Sequence, residues 1–173
     1  MLEQWNKVHL MGVLSASLNL NSYLEITTTL TGYKYREAQD LSFKPCMRLV
    51  YRMDAAASHD GLPIDFASPT EDLAAPLAEI RSIGLNFDLI FVDAHHTYEC
   101  ASRDLAAAYA LLNEEGVIVV HDCNPPTQRI ASPDVTDGEW CGATYKSFID
   151  FTLGNPAIDY LTVDADYGCG IIM

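Results

Sequence analysis

Two short apolar runs, FDLIFVD at 87–93 and VIVVHD at 117–122, constrain the fold more than anything else in the chain. Each is unbroken and about one strand long, the pattern of a strand covered on both faces. Between them, YECASRDLAAAYALLN (98–113) sets Ala101, Leu105, Ala108 and Leu112 on one helical face. Glu114–Glu115–Gly116 stops that helix, and Gly116 suits a left-handed turn. Strand, helix and strand with short links predict a right-handed βαβ crossover. The economical architecture is an α/β fold: a Rossmann-like, mostly parallel sheet with helices on both faces.

The rest of the chain fits around this unit. Residues 4–18, within an N-terminal helical segment 1–20, place Trp5, Val8, Leu10, Met11 and Leu14 at helical spacing. SYLEI (22–26) reads as a strand, and TTTLTGYKYREAQ as a polar turn passing into a helix. MRLVYRMD (47–54) reads as a strand ending in Asp54, and a brief strand is expected around Ile64–Phe66. TEDLAAPLAEIRSIG (70–84) is helical, with Thr70 as N-cap and Gly84 as stop. Pro76 in its interior requires a kink or a late start. The Pro-, Asp- and Gly-rich stretch 123–142 is a long loop of the kind that carries function or forms a lid. ATYKSFIDFTL is a short helix, and IDYLTVD, ADYG and CGIIM form a C-terminal antiparallel β-hairpin. No repeat or linker divides the chain, so one domain spanning 1–173 is expected.

Charge narrows the function. The net charge is −14, and only 10 Lys and Arg are present, so no nucleic-acid partner is expected. The five cysteines form no CxxC pair, which argues against a disulfide framework or zinc ribbon and for a reduced, cytoplasmic setting. The apolar stretch near the N-terminus is only about ten residues long and has no basic flank, so neither a signal peptide nor a membrane partner is expected. Trp5 leaves a homo-oligomer open.

Both strong strands end in acids, Asp93 and Asp122. Ligands of open α/β sheets bind outside the carboxyl ends of the strands, and neighbouring strands lie about 4.8 Å apart. The two carboxylates, with His95, His96 and His121 beside them, can therefore converge on one point. Carboxylates with waters suit Mg²⁺, and added imidazole suits Mn²⁺, Fe²⁺ or Zn²⁺. Plainer roles stand beside these: Asp93 as a helix cap, His121 as a hydrogen-bonded core residue, one of His95 and His96 facing solvent, and Glu99 favouring a helix N-terminus. His59, next to Asp60 and Gly61, reads as a surface residue.

FDLIFVDAHHTYECASRDLAAAYALLNEEGVIVVHD resembles the second half of a class I S-adenosylmethionine-dependent methyltransferase. It is most similar to the small-molecule and sugar O-methyltransferases, whose pattern runs roughly DLIFIDGDHSYE…D…LL.pGG.ivfHD. EWCGATYKSFIDF and DADYGCGII resemble the C-terminal part of the same family. The resemblance implies S-adenosylmethionine as cofactor, Mg²⁺ or another divalent metal, and a small hydroxylated substrate. It implies Asp93, His121 and Asp122 around the metal, and Asp93 and His96 as the catalytic pair, His96 as base or hydroxyl-positioning group. Tyr23, Glu25, Ile26 and Thr27 match the first strand and the start of the cofactor loop. Asp54 matches the ribose-binding acid, Ser68 and Asp72 lie near the adenine edge, and Asp93 also borders the cofactor.

The chain departs from the family at TTTLTG, where a glycine-rich turn normally lets the backbone approach the cofactor. DAHH replaces DGDH, and Glu-Glu-Gly replaces a Pro-Gly-Gly turn. Three readings follow. The first is an O-methyltransferase, with loop 123–142 and Trp140 covering the substrate. The second is a methyltransferase-fold protein that has lost cofactor binding and serves as a binding or assembly module. The third is a metal site used for hydrolysis or oxidation.

Overall fold

The computed structural model describes residues 5–28, 33–52 and 61–173. The elements run α1 (Lys7–Leu18), β1 (Tyr23–Thr27), α2 (Tyr33–Asp40), β2 (Cys46–Val50), β3 (Phe66–Ala67) and α3 (Ala74–Ser82). They continue as β4 (Phe87–Asp93), α4 (Tyr98–Leu111), β5 (Leu112–Val120), α5 (Thr144–Gly154), β6 (Tyr160–Val163) and β7 (Cys169–Ile172). The strands form one seven-stranded sheet in the order β3-β2-β1-β4-β5-β7-β6. Only β7 runs against its neighbours, inserted between β5 and β6. This is the Rossmann-like sheet with a C-terminal antiparallel pair that the sequence predicts.

Alternation along the central strands divides the core in two. Leu24, Ile26, Ile90, Val92, Ile118 and Val120 face Ile80 of α3, Leu105 and Ala108 of α4, and Phe148 of α5. Tyr23, Leu89, Phe91, Val117 and Val119 face Leu10 and Met11 of α1 and Tyr35 and Ala38 of α2. Each such side chain contributes about 2 kcal/mol through removal from water. Among the described residues no helix is long and apolar enough to cross a membrane.

Several local expectations shift. Helix α1 starts at Lys7 because the Asn6 side chain accepts from the amides of Val8 and His9, which leaves Trp5 outside, 52% exposed. Strand β2 ends at Val50, and Asp54 and His59 lie outside the described residues. Thr70 does not cap α3; its hydroxyl accepts from Asp72 N, and the Asp72 carboxylate accepts from Ala74 N. The late start puts Pro76 in the first turn, where a missing N–H costs nothing. Gly84 does end that segment with φ +67°. Helix α4 passes straight into β5, so Glu114–Glu115–Gly116 is strand and not a stop. Gly116 does not take up a left-handed turn; a Cβ there would meet the Leu112 side chain at 2.8 Å, so close packing selects glycine.

Candidate active site

The carboxyl ends of β4 and β5 lie side by side, with Val92 paired to Val120. Asp93 ends β4, and His121 continues the ladder by donating its amide to Val92 O at 3.0 Å. Asp122 then takes φ 62°, a left-handed turn that aspartate tolerates better than most residues. Thr97 caps α4 by accepting from Cys100 N, so the intervening His95 and His96 are held in a short loop.

His96 is fixed from both sides. Its Nδ1 lies 2.7 Å from the Trp140 carbonyl oxygen. Its Nε2 lies 3.4 Å from Asp93 Oδ1 and 3.2 Å from Asp122 Oδ2. A carbonyl only accepts, so Nδ1 carries a hydrogen. Nε2 therefore carries a second proton, or it points a lone pair at two carboxylates and needs a cation between them. Burial opposes the imidazolium, but the Asp93 hydrogen bond and the charges of Asp122 and Asp93 raise its pKa. Loop 121–143 is pinned here: Ala143 donates its amide to His96 O at 2.8 Å, and a Cβ on Gly142 (φ 57°) would collide with that same oxygen.

His121 lies deeper. Its Nδ1 is 3.2 Å from Asp122 Oδ1 and 3.5 Å from Asp93 Oδ1. Its Nε2 is 3.7 Å from Asp166 Oδ1 and 3.1 Å from Lys7 Nζ. Burial disfavours charge on this ring, yet the carboxylates of Asp122, Asp166 and Asp93 outweigh it and push its pKa up to about 12. The close lysine acts the other way, because Nε2 must accept if the ammonium donates. We take the pair as sharing one positive charge: two cations 3.1 Å apart repel, and a neutral pair would leave the carboxylates uncompensated. His121 holds the Asp166 carboxyl well below the usual carboxylate range, and Lys7 assists.

Lys7, Asp166 and Tyr167 were not legible as site residues. The turn between β6 and β7 carries Asp166, Tyr167 and Gly168 in three successive left-handed conformations, which aims Asp166 back at His121. The Tyr167 hydroxyl donates to Glu139. With Trp140 and Cys141 these residues wall a small well of about 170 Å³ over Asp93, His96, His121 and Asp122. Beyond Tyr167 an open cleft of about 910 Å³ runs past Trp5, Asn6, Pro126 and Asp164.

Donor atoms of Asp93, His96 and Asp122 all lie within 4.8 Å of one another, the spacing a single cation requires. His121 adjoins this group. Glu71, His95 and Cys100 make a second such group nearer β2. There the Tyr51 hydroxyl donates to Asp104 Oδ2 at 2.6 Å and accepts from His95 N at 3.2 Å, tying the β4–α4 loop to α4.

The expected cofactor residues spread along the sheet. Thr27 is buried at the end of β1, in register with Asp93. Ser68 and Asp72 follow β3, where Ser68 Oγ donates to Asp72 O at 2.8 Å and shapes the turn. Tyr23 and Glu25 are not brought to the strand ends. They are fully buried on the α1–α2 face, the Tyr23 hydroxyl donating to Glu25 Oε2 at 3.1 Å.

A doubly wound sheet with polar groups gathered at its carboxyl edge defines a ligand-binding α/β protein of the Rossmann-like class. The sequence profile of the family described as a methyltransferase domain matches residues 28–123, more than half of the chain, and the chain belongs to that family. No curated protein matches the sequence. Among solved structures, an O-methyltransferase from Bacillus cereus in complex with SAH is 17% identical, with a TM-score of 0.63 over 96% of this chain and 79% of that one. The O-methyltransferase TomG from Streptomyces achromogenes, in complex with SAM, is 16% identical, with a TM-score of 0.66 over 96% and 78%. The MycE methyltransferase of mycinamycin biosynthesis, in complex with Mg, SAH and mycinamycin VI, is 16% identical, with a TM-score of 0.59 over 99% of this chain and 50% of that one. At these identities the likeness is one of fold.

Proposed function

We propose that the chain, as one domain spanning 1–173, transfers a methyl group from S-adenosylmethionine to a hydroxyl of a small molecule such as a sugar or secondary metabolite, with a divalent cation. The observation that carries this reading is His96. Its Nδ1–H is committed to the Trp140 carbonyl, so Nε2 is turned as a donor atom toward Asp93 and Asp122. That is the usual outer-shell arrangement of a metal-ligating histidine. Asp93, His96 and Asp122 would hold the cation, with His121 alongside. The cation, when bound, would supply Lewis acidity that makes a substrate hydroxyl easier to deprotonate.

The chain's own residues do the rest. The acceptor hydroxyl enters the 170 Å³ well and donates to a carboxylate oxygen of Asp93 or Asp122. The well is too small for a drug-sized acceptor, whose bulk extends past Tyr167 into the 910 Å³ cleft. Trp140, edge-on to His95 at 5.5 Å and tilted against His96 at 5.4 Å, shields the reacting oxygen from water. Thr27, Ser68 and Asp72 would hold the cofactor along this edge, beside Asp93, and the cofactor would supply the methyl group. Tyr23 and Glu25 support β1 from beneath. The SAM and SAH bound to TomG and the B. cereus enzyme, and the Mg, SAH and mycinamycin VI bound to MycE, support this reading.

Calorimetric titration with S-adenosylmethionine and S-adenosylhomocysteine, each with and without Mg²⁺, tests it. Micromolar binding is expected. No binding in either condition would refute the transferase and leave a binding or assembly module on this fold.

A further inference from the structure

Lys7 stands inside the acid cluster. It is 7% exposed, and its Nζ lies 3.3 Å from Asp166 Oδ2, 3.8 Å from Asp93 Oδ2 and 3.1 Å from His121 Nε2. Its backbone amide also lies 3.4 Å from Asp166 Oδ2, so the start of α1 is clamped to the β6–β7 turn. Asp93 is thereby divided. Oδ1 faces His96 and His121, at 3.4 and 3.5 Å, while Oδ2 faces the lysine. One carboxylate serves the metal-ligand group and the ammonium together.

We propose that Lys7 is a resident counter-cation that sets how tightly the Asp93–His96–Asp122 group holds a divalent metal. This rests on the metal reading given above. An ammonium ion drawing on Asp93 weakens that carboxylate as a ligand and repels a second cation nearby. In the metal-free protein the same ammonium offsets part of the charge of Asp93 and Asp166, so the ligands stay in place before metal arrives. The site is therefore preformed but weak, and the metal affinity of an enzyme core depends on the first turn of a helix outside the sheet.

Four proteins test this by Mn²⁺ titration, followed by calorimetry and by the paramagnetic resonance signal of free Mn²⁺: the wild type, His121→Asn, and Lys7→Met and Lys7→Arg each combined with His121→Asn. Lys7→Gln serves as a second neutral variant if Lys7→Met is not folded by circular dichroism. In the His121→Asn background, where the imidazole cannot take over the charge that Lys7 gives up, tighter binding by roughly 10- to 100-fold is expected in the neutral variant than in its Lys7 parent, and near-parent affinity in Lys7→Arg. Equal or weaker Mn²⁺ binding in the folded neutral variant than in its Lys7 parent, with the wild type binding measurably, would overturn the role of Lys7 and leave the metal reading standing. Absence of Mn²⁺ binding at millimolar concentration in every protein would overturn both.

Discussion

Replacing Asp104 with asparagine tests the electrostatics of the helix that supports the site. Asp104 is 1% exposed beneath α4. Its carboxyl accepts from the Tyr51 hydroxyl at 2.6 Å and from Arg103 at 3.3 Å. Burial outweighs both partners and pushes its pKa up to about 6 from 3.8. Between those values the folded chain holds a proton that the unfolded chain has lost. Stability from this group is therefore complete below about pH 4, falls as pH rises, and is gone above about pH 6. A shift of about two units corresponds to roughly 3 kcal/mol. Asparagine stays neutral and keeps an acceptor for Tyr51. The stability of Asp104→Asn minus that of the wild type should rise by about 3 kcal/mol from pH 4 to pH 7. Urea denaturation at four pH values, read as this difference, cancels the opposite trends of Asp88 and Asp166, whose pKa values are lowered. A difference that stays constant across the range would refute the reasoning.

Other outcomes follow from single contacts. Gly142→Ala should cost about 2–3 kcal/mol in a thermal melt and weaken Mn²⁺ binding, since the collision falls on the His96 carbonyl. His96→Ala should abolish measurable Mn²⁺ binding with the melt little changed. Asp88→Ala strips the acceptor from the amides of Asn21 and Ser22 and from Asn113, and should cost about 2–3 kcal/mol in urea denaturation. Ile90→Ala, at 0% exposure between β1 and β5, should cost about 2–5 kcal/mol by the same assay.

The central crossover was legible because both of its strands are buried on two faces, so hydrophobicity alone marks them. The acids at their ends could be placed by sheet geometry, and Asp93, His96, His121 and Asp122 do meet. Glu114–Glu115–Gly116 misled because exposed charges before a glycine look like a helix stop, whereas the strand simply emerges from the sheet there. Lys7 left one signal. It shares the stripe of Leu10, Met11 and Leu14 at helical spacing, and a lysine on an apolar face asks for a buried partner. Asp166 left none, because a turn aspartate beside glycine is expected for local reasons, and only the three-dimensional path of the turn aims it inward.

The antiparallel seventh strand carries a consequence for the order in which the protein can be made. Strand β7 fills the slot between β5 and β6, and the turn that introduces it delivers Asp166 to Lys7, 159 residues away in the chain. During synthesis the outer edge of β5, from Ile118 to Val120, stays open until residues 169–172 emerge. Sealing that adhesive edge and completing the acid cluster are then one event. A nascent chain stalled before the hairpin would display an unpaired central strand and an unfinished acid cluster together, so capture by a chaperone should end at the chain length that completes the cluster.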